Sequence, residues 1–82
     1  MNENHMEDIL EHINPNIALM EPGGLTDCEG LIDPAVWNDV PAPERRYVFG
    51  RPISMLVAQC RVSLEFAGFD RARHNLYRKI KK

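Results

Sequence analysis

The chain has 82 residues, of which 44% are hydrophobic and 7% aromatic, a length and composition that permit one small domain with a modest core. No apolar run approaches the roughly 20 residues of a membrane-spanning helix. The acidic N-terminus lacks the basic start and apolar centre of a signal peptide, and two cysteines are too few for a disulfide scaffold. We therefore expect a soluble, cytoplasmic protein with no membrane partner.

Charge is sorted along the chain. Residues 1–44 contain ten Asp and Glu and no Lys or Arg, whereas residues 45–82 contain all ten Lys and Arg and only two acids, giving formal charges of −10 and +8. Either the two halves neutralise each other, or a basic surface binds phosphates beside an acidic appendage. We divide the chain into an acidic, proline-broken segment, 1–44, and a basic region, 45–82.

The first helix of the acidic segment is predicted over residues 4–13. Apolar residues recur at helical spacing between Met6 and Ile13, with acids on the other side. Asn14-Pro15 is expected to end this helix. An isolated helix of about ten residues is marginal in water, so it must dock on the domain or on another molecule.

Proline and glycine divide the rest of this segment. Pro22-Gly23-Gly24 predicts a turn. Asp33-Pro34 predicts the start of a short helix, with Asp as the N-cap and Pro at the first helical position. Pro41-Ala42-Pro43 is expected to end that helix and to act as a stiff spacer.

The basic region predicts two consecutive helices. Apolar residues at helical spacing indicate a helix from Pro52 to about Leu64, which Ala67-Gly68 would end. Asp70 would cap a second, basic helix that runs to the C-terminus. The predicted fold is therefore a mainly α, small helical domain with a C-terminal helix-turn-helix and a possible short β element near 47–49.

The predicted terminal helix carries side chains suited to DNA. A helix fits the major groove, where Arg can read guanine, Asn can read adenine, and further bases can fix phosphates. The candidate DNA-binding residues are Arg71, Arg73, His74, Asn75, Tyr77, Arg78, Lys79, Lys81 and Lys82. Further candidate phosphate contacts, beside Tyr47 and Phe49, are Arg45, Arg46 and Arg51.

A local family resemblance involves the same residues. The stretch Gly68-Phe69-Asp70-Arg71, followed by Asn75-Leu76-Tyr77-Arg78-Lys79-Ile80-Lys81-Lys82, resembles the C-terminal helix-turn-helix of the factor-for-inversion-stimulation type, shared with nitrogen-regulator-type enhancer-binding activators. The resemblance implies that Leu76 and Ile80 anchor the recognition helix and that the DNA-facing residues are Arg71, Asn75, Tyr77, Arg78 and Lys79. Ala72-Arg73-His74 departs from the pattern by about two extra residues, which rotate a helix by about 200°.

A β-hairpin is the alternative for the same stretch. Val62–Phe66 and Asn75–Ile80 can pair around Asp70–His74, giving a winged-helix shape similar to small phage excisionases. Alternation on the second strand is poor, because Leu76, Arg78 and Ile80 would share one face. The helix is therefore the preferred prediction.

These patterns predict a DNA-binding regulator rather than an enzyme. Nucleotide-binding and nucleophile motifs are absent from the sequence, and its Cys and His residues lack zinc-site spacing, so we expect no catalysis, metal or cofactor. The expected role is control of transcription or recombination, in a phage or mobile element, on double-stranded DNA. One short recognition helix buries too little surface for specificity, so a homodimer or a protein partner is expected.

A protein-binding inhibitor or antirepressor of mobile-element type is the alternative function. Clustered acids can imitate a phosphate array and attract a basic partner. The candidate partner-binding residues are Glu7, Asp8 and Glu11, with Trp37 as an aromatic anchor.

Overall fold

The computed structural model describes residues 3–80. Its helices and strands are, in chain order, α1 (Glu3–Ala18), β1 (Leu25–Thr26), α2 (Cys28–Leu31), α3 (Pro34–Asp39), α4 (Arg51–Ala58), β2 (Leu64–Phe69) and β3 (Asn75–Lys79). A 3-10 turn, Ala42–Glu44, and a π-helical turn, Arg46–Gly50, precede α4. The predicted class, a mainly helical small domain with a short β element, is confirmed.

Helix α1 continues through Pro15, where the sequence predicts its end. Proline lacks an N–H, so one hydrogen bond of the helix is missing there. Ile17 nevertheless extends the apolar stripe of Ile9 and Ile13 by one more turn, and all three side chains are buried. Burial of this further side chain offsets the missing hydrogen bond, and the predicted end of the helix at Asn14-Pro15 is wrong.

The predicted turn and the second helix of the acidic segment are confirmed. Gly23 has a φ of +85°, a conformation that favours glycine, and the turn leads into β1. Helix α3 begins with Pro34 at its first position, and the Asp33 carbonyl accepts the Trp37 N–H at 2.9 Å. The Asp33 side chain makes no capping hydrogen bond to the helix.

Helix α4 is shorter than the predicted helix over 52–64, because its end is fixed by a left-handed residue. Cys60 has a φ of +58°. Its N–H donates to the Val57 carbonyl and the Arg61 N–H to the Leu56 carbonyl, each at 3.0 Å. This is the hydrogen-bond pattern of a Schellman cap, which usually has glycine where Cys60 stands. A cysteine gives no sequence signal for it.

The π-helical turn occupies residues 47–49, so the short strand expected there is wrong. The Arg51 N–H donates to the Arg46 carbonyl, five residues back. Pro52 has no N–H for the Val48 carbonyl, and the His5 ring nitrogen Nε2 lies 2.9 Å from that oxygen instead. The His5 ring thus lies beside a carbonyl that has no helical donor four residues on.

The C-terminal region is a hairpin. Strands β2 and β3 pair antiparallel, with Phe66 opposite Tyr77, and β3 also pairs with β1, where Thr26 is opposite Tyr77. Among residues 3–80, three strands form one sheet in the order β1-β3-β2. The preferred prediction of a helix from Asp70 is therefore wrong, and the alternative hairpin around residues 70–74 is confirmed.

Burial of Tyr77 explains why the strand is favoured. As the central strand, β3 satisfies its backbone on both sides and turns Tyr77 into the core, where the side chain is 1% exposed. The predicted terminal helix has Ala72, Leu76 and Ile80 facing inward and Tyr77 among its exposed residues. Tertiary packing thus overrides the helical spacing of the sequence.

The core lies between α1, α4 and the inner face of the sheet. Its buried members are Ile9, Ile13, Ile17, Leu31, Ile32, Phe49, Ile53, Leu56, Val62, Leu64 and Tyr77. Leu64, which the sequence assigns to the helix before the turn, belongs to β2. Within residues 3–80, no helix combines the length and the apolar character needed to cross a membrane.

Leu56 and Leu19 provide a matched test of this packing. Leu56 is fully buried, whereas Leu19 is 85% exposed. We expect Leu56→Ala to lower the free energy of unfolding by about 2–5 kcal/mol, because it removes core packing and leaves a cavity. Leu19→Ala should change it by less than about 0.5 kcal/mol. Urea denaturation followed by circular dichroism measures both, and equal decreases would contradict this core.

Candidate nucleic-acid interface

The π-helical turn and α4 present one exposed face, which we call the α4 face. Its members share one side of the helix and are Tyr47, Arg51, Ser54, Met55 and Ala58. The opposite side, with Ile53 and Leu56, enters the core. Residues 46–58 contain no acid, and Arg46 is also exposed. The surface of this helix is therefore positive.

The hairpin tip, residues 70–74, is held by one carboxylate. The Asp70 side chain accepts the N–H groups of Ala72 and His74, each at 2.8 Å. Its backbone carbonyl accepts the N–H of Arg73, which has a φ of +64°. The His74 and Ala72 amides hold the pKa of Asp70 below its usual value. This ordered turn leaves Arg71 and Arg73 exposed to solvent.

The α4 face and the hairpin tip lie on the same side of the molecule. An open cleft of about 330 Å³ is lined by Ser54 and Ala58 from α4 and by Phe69 and Asn75, the residues that flank the tip. Helix α4 and the residues that flank the tip therefore line one cleft, and exposed arginines lie elsewhere on the same two elements.

Arg45 and Trp37 are used inside the fold. The Arg45 Nε donates to the carbonyls of Trp37 and Val40 at 3.1 and 2.9 Å, and its guanidinium lies 4.9 Å from the Trp37 ring centroid. Trp37 also stacks on Phe49, with ring centroids 5.5 Å apart. Arg45, predicted as a phosphate contact, and Trp37, predicted as a partner anchor, together fix the connection before α4.

Strand β3 uses most of its predicted DNA-binding residues within the fold. Burial raises the pKa of Tyr77, whose side chain belongs to the core. Arg78 lies 3.5 Å from Glu65 on the outer face of the sheet. The Lys79 ammonium donates to the Met20 carbonyl at 2.6 Å, beside the C-terminal end of α1, where the helix dipole favours a cation. Lys81 and Lys82 lie outside the described residues.

Few ion pairs join the acidic and basic halves of the described chain. Within the described part of the chain, the ion pair between Arg61 and Glu7 is the one that joins the two halves. Asp8 and Glu11 remain exposed on α1. Neutralisation of one half by the other therefore accounts for this one ion pair. The surface keeps the separation of acidic and basic residues that the sequence shows.

Four exposed arginines of the described chain have no polar partner. Among residues 5–80, the side chains of Arg46, Arg51, Arg71 and Arg73 make no hydrogen bond or ion pair, although Arg51 lies 5.3 Å from the Tyr47 ring centroid. All four are named by the sequence prediction, but on separate elements. It missed Ser54 and Met55, which could have been found because they lie opposite the buried helical stripe.

The thiols and the metal-ligating side chains form no second site. Burial, and then the neighbouring Asp27 charge, raises the pKa of Cys28 to about 11, so this thiol is protonated at neutral pH. Cys60 is exposed and unbridged. Over the described range, 3–80, no three His, Cys, Asp or Glu side chains are grouped to hold a metal ion.

Comparison with known proteins gives no relative. No protein-family model, no curated protein and no solved structure matches this chain. The candidate interface therefore rests on its own geometry and charge.

Asp70 provides a test of the tip. Because its folded pKa is lowered, its contribution is present above the ordinary aspartate pKa and disappears as pH falls through the lowered value. We expect the Ala72 and His74 amide signals in NMR spectra to shift over that acidic window. Asp70→Asn, which keeps an acceptor oxygen, should abolish the titration and retain the turn, whereas Asp70→Ala should expose both amides to hydrogen exchange. Equal amide protection in wild type and Asp70→Ala would contradict the role of this carboxylate.

Proposed function

We propose that this chain is a small DNA-binding regulatory protein without catalytic activity. The observation that carries the proposal is that Arg46, Arg51, Arg71 and Arg73 have no ion-pair partners among residues 5–80 and belong to the helical stretch 46–58 and the hairpin tip, which flank one open cleft. A surface with unpaired guanidinium groups attracts a polyanion. The predicted terminal helix is replaced in this role by α4 and the hairpin tip.

Helix α4 suits the major groove. The helical stretch 46–58 is about 20 Å long at 1.5 Å per residue, and a helix with its side chains is about as wide as the groove. Arg51 lies in the middle of its exposed face, where a bidentate contact with guanine is available. Arg46, at the beginning of the helical stretch, is placed for a phosphate.

The hairpin tip suits the neighbouring backbone or minor groove. The hydrogen bonds of Asp70 hold the backbone of Arg71 and Arg73 in a compact turn. Binding therefore costs little backbone conformational entropy at the tip. Arginine contacts of this kind set position and respond to groove width rather than reading bases. A helix beside a β-hairpin is the arrangement that the alternative sequence prediction describes as similar to a winged helix.

The proposed ligand is double-stranded DNA, contacted by more than one protein molecule. A single helix and a single tip cover a small interface, and specificity at physiological salt needs a larger one. We therefore propose two copies of the chain, or the chain with a protein partner, on each DNA site. The proposed role is control of transcription or recombination.

Matched charge removals test the interface. We expect Arg51→Gln to weaken binding to duplex DNA by about fivefold or more, because one bidentate base contact contributes about 1–3 kcal/mol. The double variant Arg71→Gln/Arg73→Gln should reduce the slope of log affinity against log salt by about 0.9 for each phosphate that is no longer neutralised. The control is Arg78→Gln, which removes the same charge on the outer face of the sheet and should leave binding unchanged. Fluorescence anisotropy at two salt concentrations measures all three.

The contrary outcomes separate the two candidate functions. Equal weakening by Arg78→Gln and Arg51→Gln would indicate a general charge effect and would contradict this interface. Absence of binding between the wild-type chain and duplex DNA at low salt would contradict the proposed DNA binding. If such a chain instead bound a basic nucleic-acid-binding protein, and Asp8→Asn with Glu11→Gln abolished that binding, the inhibitor alternative would be favoured.

A further inference from the structure

Two phenyl rings are exposed beside the hairpin tip. Phe66 is 52% and Phe69 64% exposed, and their centroids are 5.3 Å apart in an edge-to-face contact. The Phe66 ring in turn contacts Tyr77 of the core, with centroids 6.4 Å apart. The rings thus form a short series that leads from the buried interior to the surface and supports Phe69 from behind.

A bulge in β2 brings these two rings to the same side. In a regular strand, residues three apart lie on opposite faces. Here the register shifts between Phe66 and Gly68, where Gly68 has a φ of +111°. The extra residue of the bulge reverses the alternation, so that Phe66 and Phe69 both line the cleft against α4.

The cleft that these rings line is apolar with a few polar groups. Ser54 and Ala58 form the opposite wall, and the Asn75 side-chain amide donates to the Tyr77 hydroxyl at 3.2 Å within it. Aromatic walls with a small number of hydrogen-bonding groups are the usual surroundings of a nucleobase taken out of its stack.

Exposed arginines that lie close in sequence to the cleft-lining residues indicate the class of occupant. Arg51 lies one turn from Ser54 on the α4 side, and Arg71 and Arg73 follow Phe69 on the other side. A purely apolar partner would leave these guanidinium groups without a counter-charge. A nucleotide supplies both a flat apolar base for the rings and phosphates for the arginines.

We infer that Phe69, supported by Phe66, stacks on a base that is displaced from the stack of the bound duplex. This inference rests on the proposed DNA binding and adds that the protein distorts its site. Insertion of apolar side chains beside arginine contacts in the minor groove unstacks bases and kinks the duplex. Phe69 is the exposed ring next to the tip, so it meets the DNA first.

Fluorescence of 2-aminopurine tests the inference directly. The probe is a short duplex of random sequence with a central 2-aminopurine, whose emission rises when the base is unstacked, and the protein is the full chain. We expect a rise with wild type and with Phe69→Tyr, which keeps an aromatic ring. Phe69→Ala should abolish the rise and weaken binding by about tenfold, in the range found for removal of one base-stacking ring. Leu25→Ala removes another exposed apolar side chain, on β1, and should change neither result.

The possible outcomes distinguish this inference from the proposed function. If wild type binds the duplex without a rise in emission, and Phe69→Ala binds equally well, base stacking is overturned while DNA binding stands. If wild type binds no duplex at low salt, the proposed function itself fails. Thermal unfolding of each variant checks that the fold is retained, which we expect because Phe69 is largely exposed.

Discussion

The pairing of β3 with strands on both of its sides is the constraint on which the rest of the structure depends. It buries Tyr77 and closes the sheet over α1 and α4. It also joins the turn before β1 to the end of β3, because the Gly23 N–H donates to the Lys79 carbonyl and the Lys79 N–H to the Gly24 carbonyl. Without this central strand there would be no hairpin, and α4 would have no sheet beside it.

The same pairing determines which basic side chains bond to other parts of the protein and which are exposed to solvent. Lys79 donates a hydrogen bond to the carbonyl of Met20 near the end of α1, and Arg78 forms an ion pair with Glu65. The basic residues nearest the C-terminus in the described range therefore already have partners within the protein. Exposed ion pairs of this kind contribute little to stability, yet they remove charge from any ligand site. The charges of the arginines on the α4 face and at the hairpin tip stay exposed to solvent. Basic charge that the sequence concentrates in residues 45–82 is therefore exposed on two adjacent elements, α4 and the hairpin tip.

Local chemical signals predicted the structure well where one residue type dictates a conformation. Asp33-Pro34 begins a helix, and Pro22-Gly23-Gly24 forms a turn, because backbone geometry leaves little choice there. The C-terminal strand could not be predicted in this way. Leu76 and Ile80 fit helical spacing, and only pairing with distant residues near Thr26 decides between helix and strand.

Two further errors have the same origin in distant contacts. Pro15 is an ordinary helix stop in isolation, and burial of Ile17 against the core overrides it. The end of α4 at a left-handed Cys60 has no sequence signal at all. The arginines of the site could be named from composition, since they belong to the half of the chain that holds every Lys and Arg. Their placement on two elements that flank one cleft depends on the hairpin, where the preferred sequence prediction has a helix.

The most direct test of the proposed interface is a map of backbone amide shifts in NMR spectra of the full chain on titration with duplex DNA. We predict that the largest shifts fall in residues 46–58 and 70–74, with the outer face of the sheet around Arg78 and the acidic side of α1 unaffected. Shifts centred on Arg78 and Lys79, or on Asp8 and Glu11, would contradict it.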